Sequence, residues 1–443
     1  MKPGGLFTAL GLLVVLGGLL WWSNKHPSTN TASKTPPAPK LISVDSNQIE
    51  GIRLAKAGSD PVEVVKLANT WTISKPSTMA ADADAVNMLT GSLATLNADR
   101  VIDEHPSNLK DFGLDTPTDE VDVTVKGGKT TKLLLGSDTP AGTGTYAKLE
   151  GDPKVYTLPT YLKTSLDKSV NDLRDKRLLT FNQDKLTTVA VAGKGASVEF
   201  GKNAQGDWQI VKPKPLRADG SQVDDIIRKL KDAKMDLTGA KSDPKDSAAQ
   251  YASGERAGVV TTTDNTGAQT LEIHKSKDKD GGYYAKSSVV PGFYKVAGDI
   301  GDSLGKSLDD YRNKKLFDFG FNDPSKLEIN GTAYQKSGDK WTAGSNTYDA
   351  GTIQAVIDKL RDLSATKFSE RMAGAPVLTI GITAGDNHRD EKVTINKDGD
   401  SYNAQRDGEP ATVYVIDGKN IDDLQKVVSG IKQAAPAAPA KKK

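Results

Sequence analysis

The stretch Leu173-Arg174-Asp175-Lys176-Arg177-Leu178-Leu179-Thr180-Phe181 returns as Tyr311-Arg312-Asn313-Lys314-Lys315-Leu316-Phe317-Asp318-Phe319. The shift is 138 residues, and at that shift Tyr146, Ala147 and Lys148 fall on Tyr284, Ala285 and Lys286. Tyr156 falls on Tyr294 in the same way. Self-similarity at a fixed shift marks a chain assembled from copies of one structural unit. Working outward, three copies are read over 41–181, 182–320 and 321–433. Each copy is a control for the others, because a site present in one can be looked for in its sisters.

Each copy opens with short alternating strands that run to a Trp, at Trp71, Trp208 and Trp341. Period-two alternation such as 62–67 is the pattern of a half-buried strand. An Asp follows 11, 11 and 8 residues later, at Asp82, Asp219 and Asp349. Asp is a favoured helix N-cap, because its carboxylate accepts from N–H groups that the first turn leaves unpaired. The helix behind each Asp carries Val86, Leu89, Leu93 and Leu96; then Val223, Ile226, Leu230 and Ala233; then Ile353, Val356, Leu360 and Leu363. The spacing i, i+3, i+7, i+10 sets all four on one face, which predicts a helix packed on a sheet. Further strands follow, with a hairpin at Gly127-Gly128 and tyrosines at Tyr146, Tyr284 and Tyr402, then Tyr156, Tyr294 and Tyr414. A second helix is expected to close each copy, over 161–175, 298–313 and 420–432. Strand runs with occasional helices give an α+β class with mainly antiparallel sheets.

Residues 4–22 form a run of 19 without charge, ending at Trp21-Trp22. As a helix it spans about 28 Å at about 1.5 Å per residue, close to a bilayer's hydrocarbon thickness. A cleaved signal has a shorter apolar core and small residues at its end, so the run reads as an uncleaved transmembrane signal anchor. A very short tail before it favours an N-in, C-out orientation, with the body outside the cytoplasm of a bacterial cell at the inner membrane. Residues 23–40, with Pro27, Pro36, Pro37 and Pro39, read as a spacer, and 434–443 as an Ala/Pro/Lys tail.

Composition removes several classes. The 59 basic and 57 acidic residues leave a net charge of +2, which argues against nucleic acid as a partner. The absence of Cys removes disulfides, thiolate metal sites and a Cys nucleophile.

The Trp71-to-Pro76 stretch, the helix over 82–99, Phe112-Gly113-Leu114-Asp115-Thr116-Pro117, Leu135-Gly136, Tyr146 to Lys148, Val155-Tyr156 and 173–179 together carry a resemblance. With the apolar run before them, they resemble the bacterial "domain of unknown function 4340" family, most clearly over roughly 50–320. The resemblance implies a membrane-anchored, extracytoplasmic protein, often encoded beside components of gliding-motility-type ABC transporters. It brings no catalytic residues. The second copy departs from the pattern, with Gln250-Tyr251-Ala252-Ser253-Gly254 where Phe112-Gly113-Leu114-Asp115 would fall; Phe319 to Pro324 sits at a junction instead.

Motifs for chemistry fail the comparison between copies. Gly305-Lys306-Ser307 resembles the end of a phosphate loop, but Ile300 stands where Gly is required. Its sister residues Asp167-Lys168-Ser169 fall within the expected second helix. Asp278-Lys279-Asp280-Gly281 lacks a Glu at the twelfth calcium-loop position, Ser287, and reads as a turn, as does Asp398-Gly399-Asp400. His26, His105, His274 and His388 make no ligand pair and do not recur. The recurring Trp residues read as strand-end packing rather than a platform for sugar rings. The best candidate partner-binding residues are the basic clusters Arg174, Lys176, Arg177 and Arg312, Lys314, Lys315, placed at a helix end where cations offset the helix dipole. Docking between repeats is the competing reading of these clusters.

The expected function is therefore a non-enzymatic scaffold or adaptor without cofactor or metal, with transporter subunits as candidate partners. The alternative is a module binding an envelope polymer, peptidoglycan or polysaccharide. A hydrolase with a site assembled across copies stands last.

Overall fold

The computed structural model describes residues 38–435, apart from 240, 280, 297–299, 322 and 386–388. The expected span over 4–22, the spacer up to residue 37, the tail from 436, and His26 and His388 lie outside the described residues. Among those residues no helix is long and apolar enough to cross a membrane. The chain forms two compact units, divided between Asp175 and Lys176.

The first unit contains β1 (Ile49–Lys56), β2 (Val62–Leu67), β3 (Thr70–Lys75), β4 (Met79–Ala80), α1 (Ala83–Ala94), β5 (Arg100–Asp103), β6 (Asp119–Val125), β7 (Thr130–Asp138), β8 (Gly144–Leu149), β9 (Val155–Pro159), α2 (Thr160–Leu166) and α3 (Val170–Leu173). Its strands form one antiparallel sheet in the order β4-β3-β2-β1-β6-β7-β8-β9-β5.

The second unit holds two such sheets. One is built from β10 (Thr188–Gly193), β11 (Ser197–Lys202), β12 (Trp208–Lys212), β13 (Leu216–Arg217), β14 (Glu255–Asp264), β15 (Gly267–Lys275), β16 (Tyr283–Ser287) and β17 (Phe293–Val296), ordered β13-β12-β11-β10-β14-β15-β16-β17. Its helices are α4 (Gly220–Asp232), α5 (Pro244–Ser253) and α6 (Ile300–Ser303). The other has β18 (Pro324–Ile329), β19 (Thr332–Ser337), β20 (Lys340–Ala343), β21 (Asn346–Tyr348), α7 (Ala350–Asp362), β22 (Lys367–Ser369), β23 (Ala375–Ala384), β24 (Arg389–Asp398), β25 (Ser401–Arg406), β26 (Val413–Ile416) and α8 (Gly418–Ser429). Its order, β21-β20-β19-β18-β23-β24-β25-β26-β22, is that of the first sheet strand for strand. In the middle sheet the edge strand is reduced to a single bridge, Met235 with Val296. The class is α+β with three antiparallel sheets, consistent with three repeats.

The amphipathic helices form where the sequence places them. Asp82 accepts from the N–H groups of Asp84 and Ala85, Asp219 from Ser221, and Asp349 from Thr352. Val86, Leu89 and Leu93, and their counterparts in α4 and α7, are buried in the three hydrophobic cores. Each side chain so buried contributes about 1.5–3 kcal/mol, which outweighs the cap.

The expected second helices differ from their reading. In the first repeat the segment is split into α2 and α3, and in the second into α6 and a short 3-10 turn at Leu308–Asp310. Ser169 with Asp172, and Ser307 with Asp310, form capping boxes that restart the chain after the break. Asp167-Lys168-Ser169 and Gly305-Lys306-Ser307 therefore lie in the break and not inside a helix. Only α8 runs unbroken.

The 138-residue repeat has a structural cause. The residues entering each repeat bond to the segment after its amphipathic helix, and the residues leaving it bond to the segment before that helix. At entry, Leu41 N donates to Leu96 O (2.9 Å), Leu178 N to Ala233 O (3.1 Å) and Leu316 N to Leu363 O (3.0 Å). At exit, Asp82 N donates to Leu173 O (2.8 Å), Asp219 N to Tyr311 O (2.8 Å) and Asp349 N to Lys432 O (2.9 Å).

An ionic ring, largely buried except at the half-exposed Arg389, adds to this within the second unit. Arg217 pairs with Asp318 (2.5 Å), Asp318 with Arg389 (3.5 Å), and Arg389 with Glu391 (3.2 Å). Glu391 pairs with Arg406 (3.2 Å), Arg406 with Glu409 (3.0 Å), and Glu409 with Arg217 (3.6 Å). Tyr414 Oη accepts from Arg217 (3.0 Å) and donates to Glu409 (2.7 Å). Burial pushes the Tyr414 phenol up, against the pull of Arg217.

Asp219→Ala removes a cap side chain while leaving the backbone bond to Tyr311. It is expected to cost about 0.5–2 kcal/mol of stability in a urea melt; an unchanged midpoint removes capping from the explanation of this recurring Asp.

Candidate binding groove in the first repeat

The basic clusters serve the repeat frame through their backbones. Arg174 is the residue after α3 and bridges Ala81, and Asp175 N donates to Ala80 O. In the second unit Lys176 O accepts from Met235 N, Arg177 bridges Lys234, Lys314 O accepts from Ala365 N, and Lys315 bridges Ser364. Arg312 is spent internally. Its guanidinium lies 3.5 Å from the Phe368 ring centre and bonds Asp309 (3.0 Å) and Thr412 Oγ1 (3.2 Å). Because α3 and α6 have four residues each, the dipole expected from a long helix is not there to be offset.

The other sequence motifs are structural. Asp278 lies in the β15–β16 turn, Asp398 ends β24 and Gly399-Asp400 turn into β25, while Asp280 is outside the described residues. His274 stacks on Tyr251 at 4.0 Å and its Nδ1 bonds Tyr251 O. Among the described residues no cluster of His, Asp and Glu is placed to hold a metal ion.

One concavity includes Asp167-Lys168-Ser169, the sister residues of Gly305-Lys306-Ser307, in its wall. It lies in the first unit, between the ends of β1 and β6 and the α2–α3 segment, with a volume of about 380 Å³. Its floor is apolar and buried, from Leu54, Val62, Val121, Leu135 and Leu166. Its mouth is charged. Lys56 reaches across to Asp167 (3.1 Å), whose carboxylate holds the lysine above the ordinary range. Lys163 pairs with Asp138 (2.8 Å); that lysine, with the Thr145 hydroxyl, holds the Asp138 carboxyl below its usual range. An apolar floor with a few charged groups at the rim is the composition of a binding site for a partly apolar group.

The second repeat explains why the groove exists. Lys56 faces Asp119 in the last row of the β1–β6 ladder, and the same row of β10–β14 pairs Gly193 with Gly258. A Cβ at Gly193 would collide with the carbonyl oxygen of Leu304, the counterpart of Leu166, and one at Gly195 with that of Lys306. Bare backbone lets the post-sheet segment close onto the strands. In the first repeat two side chains stand in that place, and the groove is open. The signal was in the sequence, at Lys56 and Asp119 against Gly193 and Gly258, but only once strand register is known.

Gly193→Ala forces the Leu304 backbone to move. It is expected to destabilise the second unit by about 1–3 kcal/mol, read from denaturant unfolding, whereas Lys56→Ala, in the same ladder row of the first repeat, forces no backbone to move. Equal effects would show that the close approach is not what shuts the second repeat.

The model of the family described as "Domain of unknown function (DUF4340)" matches residues 71–208 and 208–378. The first match runs from Trp71 to Trp208, one repeat period. No curated protein and no solved structure matches the chain. With the two matches covering most of its length, the chain belongs to the DUF4340 family.

Proposed function

We propose that this protein is a non-enzymatic adaptor, anchored in the bacterial inner membrane by residues 4–22 with its body outside the cytoplasm. It docks a polypeptide segment of a permease-type subunit of an ABC transporter. The groove of the first repeat carries this reading. It is open in one copy of a shared frame and closed in another, it has an apolar floor for an anchoring side chain, and charges of both signs ring its mouth. The uncharged run at 4–22 supports the anchor.

A photo-reactive amino acid at Ser169, exposed at the groove mouth, tests the proposal in cells, with Ser307 as the matching position in the second repeat. The expected result is a specific adduct with an integral membrane subunit from Ser169 that Ser307 does not give. Adducts with cell-wall fragments alone, or the same background from both positions, contradict it.

A further inference from the structure

The second unit holds another cavity, of about 520 Å³, where β12 and the start of α4 meet the segment that enters the third repeat. That volume falls within the roughly 300–1,000 Å³ of small-molecule sites. The comparison between copies singles out its Trp. Trp71 and Trp341 are buried, 6% and 3% exposed. Trp208 occupies the same strand position but is half-buried, with one side on the second core and the other lining the cavity. The turn before it explains the difference. β2 and β3 join through Ala68 and Asn69 alone, whereas β11 and β12 are separated by five residues, 203–207. Asn203 Oδ1 organises that longer turn by accepting from Gln205 N (2.9 Å) and Asp207 N (2.8 Å).

The charges around the ring balance. Lys202, Arg217 and Arg389 are matched by Asp207, Asp224 and Asp318. The Arg217–Asp318 pair is mostly buried and belongs to the ionic ring, so it is held in place before any ligand arrives. Gln209 and the exposed Asp224 make no side-chain hydrogen bond among the described residues, and both line the cavity. The Lys202 ammonium lies over the Trp208 ring, 5.0 Å from its centre, on an exposed and flexible side chain that a ligand can displace. With that side chain aside, the site offers a flat apolar face, fixed donors, free acceptors and no net charge. An anion or a cation would meet as much repulsion as attraction. A neutral ring with one C–H face and hydroxyls that both donate and accept satisfies every element.

We propose that this cavity is a binding site for a neutral saccharide, stacked on Trp208 and hydrogen-bonded by Gln209 and Asp224 above the Arg217–Asp318 pair. It does not depend on the groove of the first repeat or on the adaptor reading. The test is titration of the full-length protein with chitotetraose and with maltotetraose, followed by calorimetry and tryptophan fluorescence. Saturable binding of at least one is expected, with a Kd between about 10 μM and 1 mM. Trp208→Ala should weaken it at least tenfold. Asp224→Asn, at an exposed helix position that cannot unfold the core, should weaken it several-fold with an unchanged circular dichroism spectrum. No saturable binding of either sugar up to about 10 mM, or binding that both variants leave unchanged, overturns the proposal.

Discussion

The structure depends on the pairing of each repeat's first and last residues with the two ends of its amphipathic helix. Helix ends and the chain beside them carry backbone groups with no partner of their own. Here those groups are met by the connecting strap, so the helix cannot slide along the sheet it covers. Residues 311–316 do this twice within the second unit. Tyr311 and Asn313 bond the segment before α4, and Lys314 and Leu316 bond the segment after α7. One short stretch thus fixes the end of one repeat and the start of the next. That double role accounts for the recurrence of 173–181 as 311–319, since the side chains that follow, Leu178 and Leu316, must also enter a core.

With the helices fixed, differences between copies are confined to the sheet ends and turns. A pair of side chains in place of two glycines opens the groove of the first repeat. A longer turn ahead of Trp208 opens the polar cavity of the second unit. The ionic ring around Arg217 lines that cavity from below. Buried ion pairs add little net stability, because desolvation offsets most of their attraction. Six alternating charges in a closed ring do hold one geometry, since moving any member leaves a neighbour uncompensated.

Much of this frame was legible in the residues. The Asp caps, the buried face of each helix and the tyrosine-bearing strands followed from spacing alone, because capping and burial act locally. The breaks after Leu166 and Ser303 did not follow. The boxes at Ser169 and Ser307 mark a restart of the chain only once the break before each is known. The helix α5 announces itself by Asp243 and Pro244 at its start, yet it has little apolar character to mark it. Both concave sites were hidden for another reason. The basic clusters stood out as charge in the sequence, whereas a groove made by Lys56 against Gly193 is a property of strand register, which a linear comparison does not display.

Hydrogen exchange at the strap is the most direct measurement of the frame. The amides of Asp219, Asn313, Leu316 and Ala365 should be protected as strongly as those in the middle of α4 and α7, exchanging only when the second unit unfolds. Exchange of the 311–316 peptide at the rate of an open loop, with the two helices still protected, would contradict the account. The strap would then be a tether, and the comparison between repeats would lose its common frame.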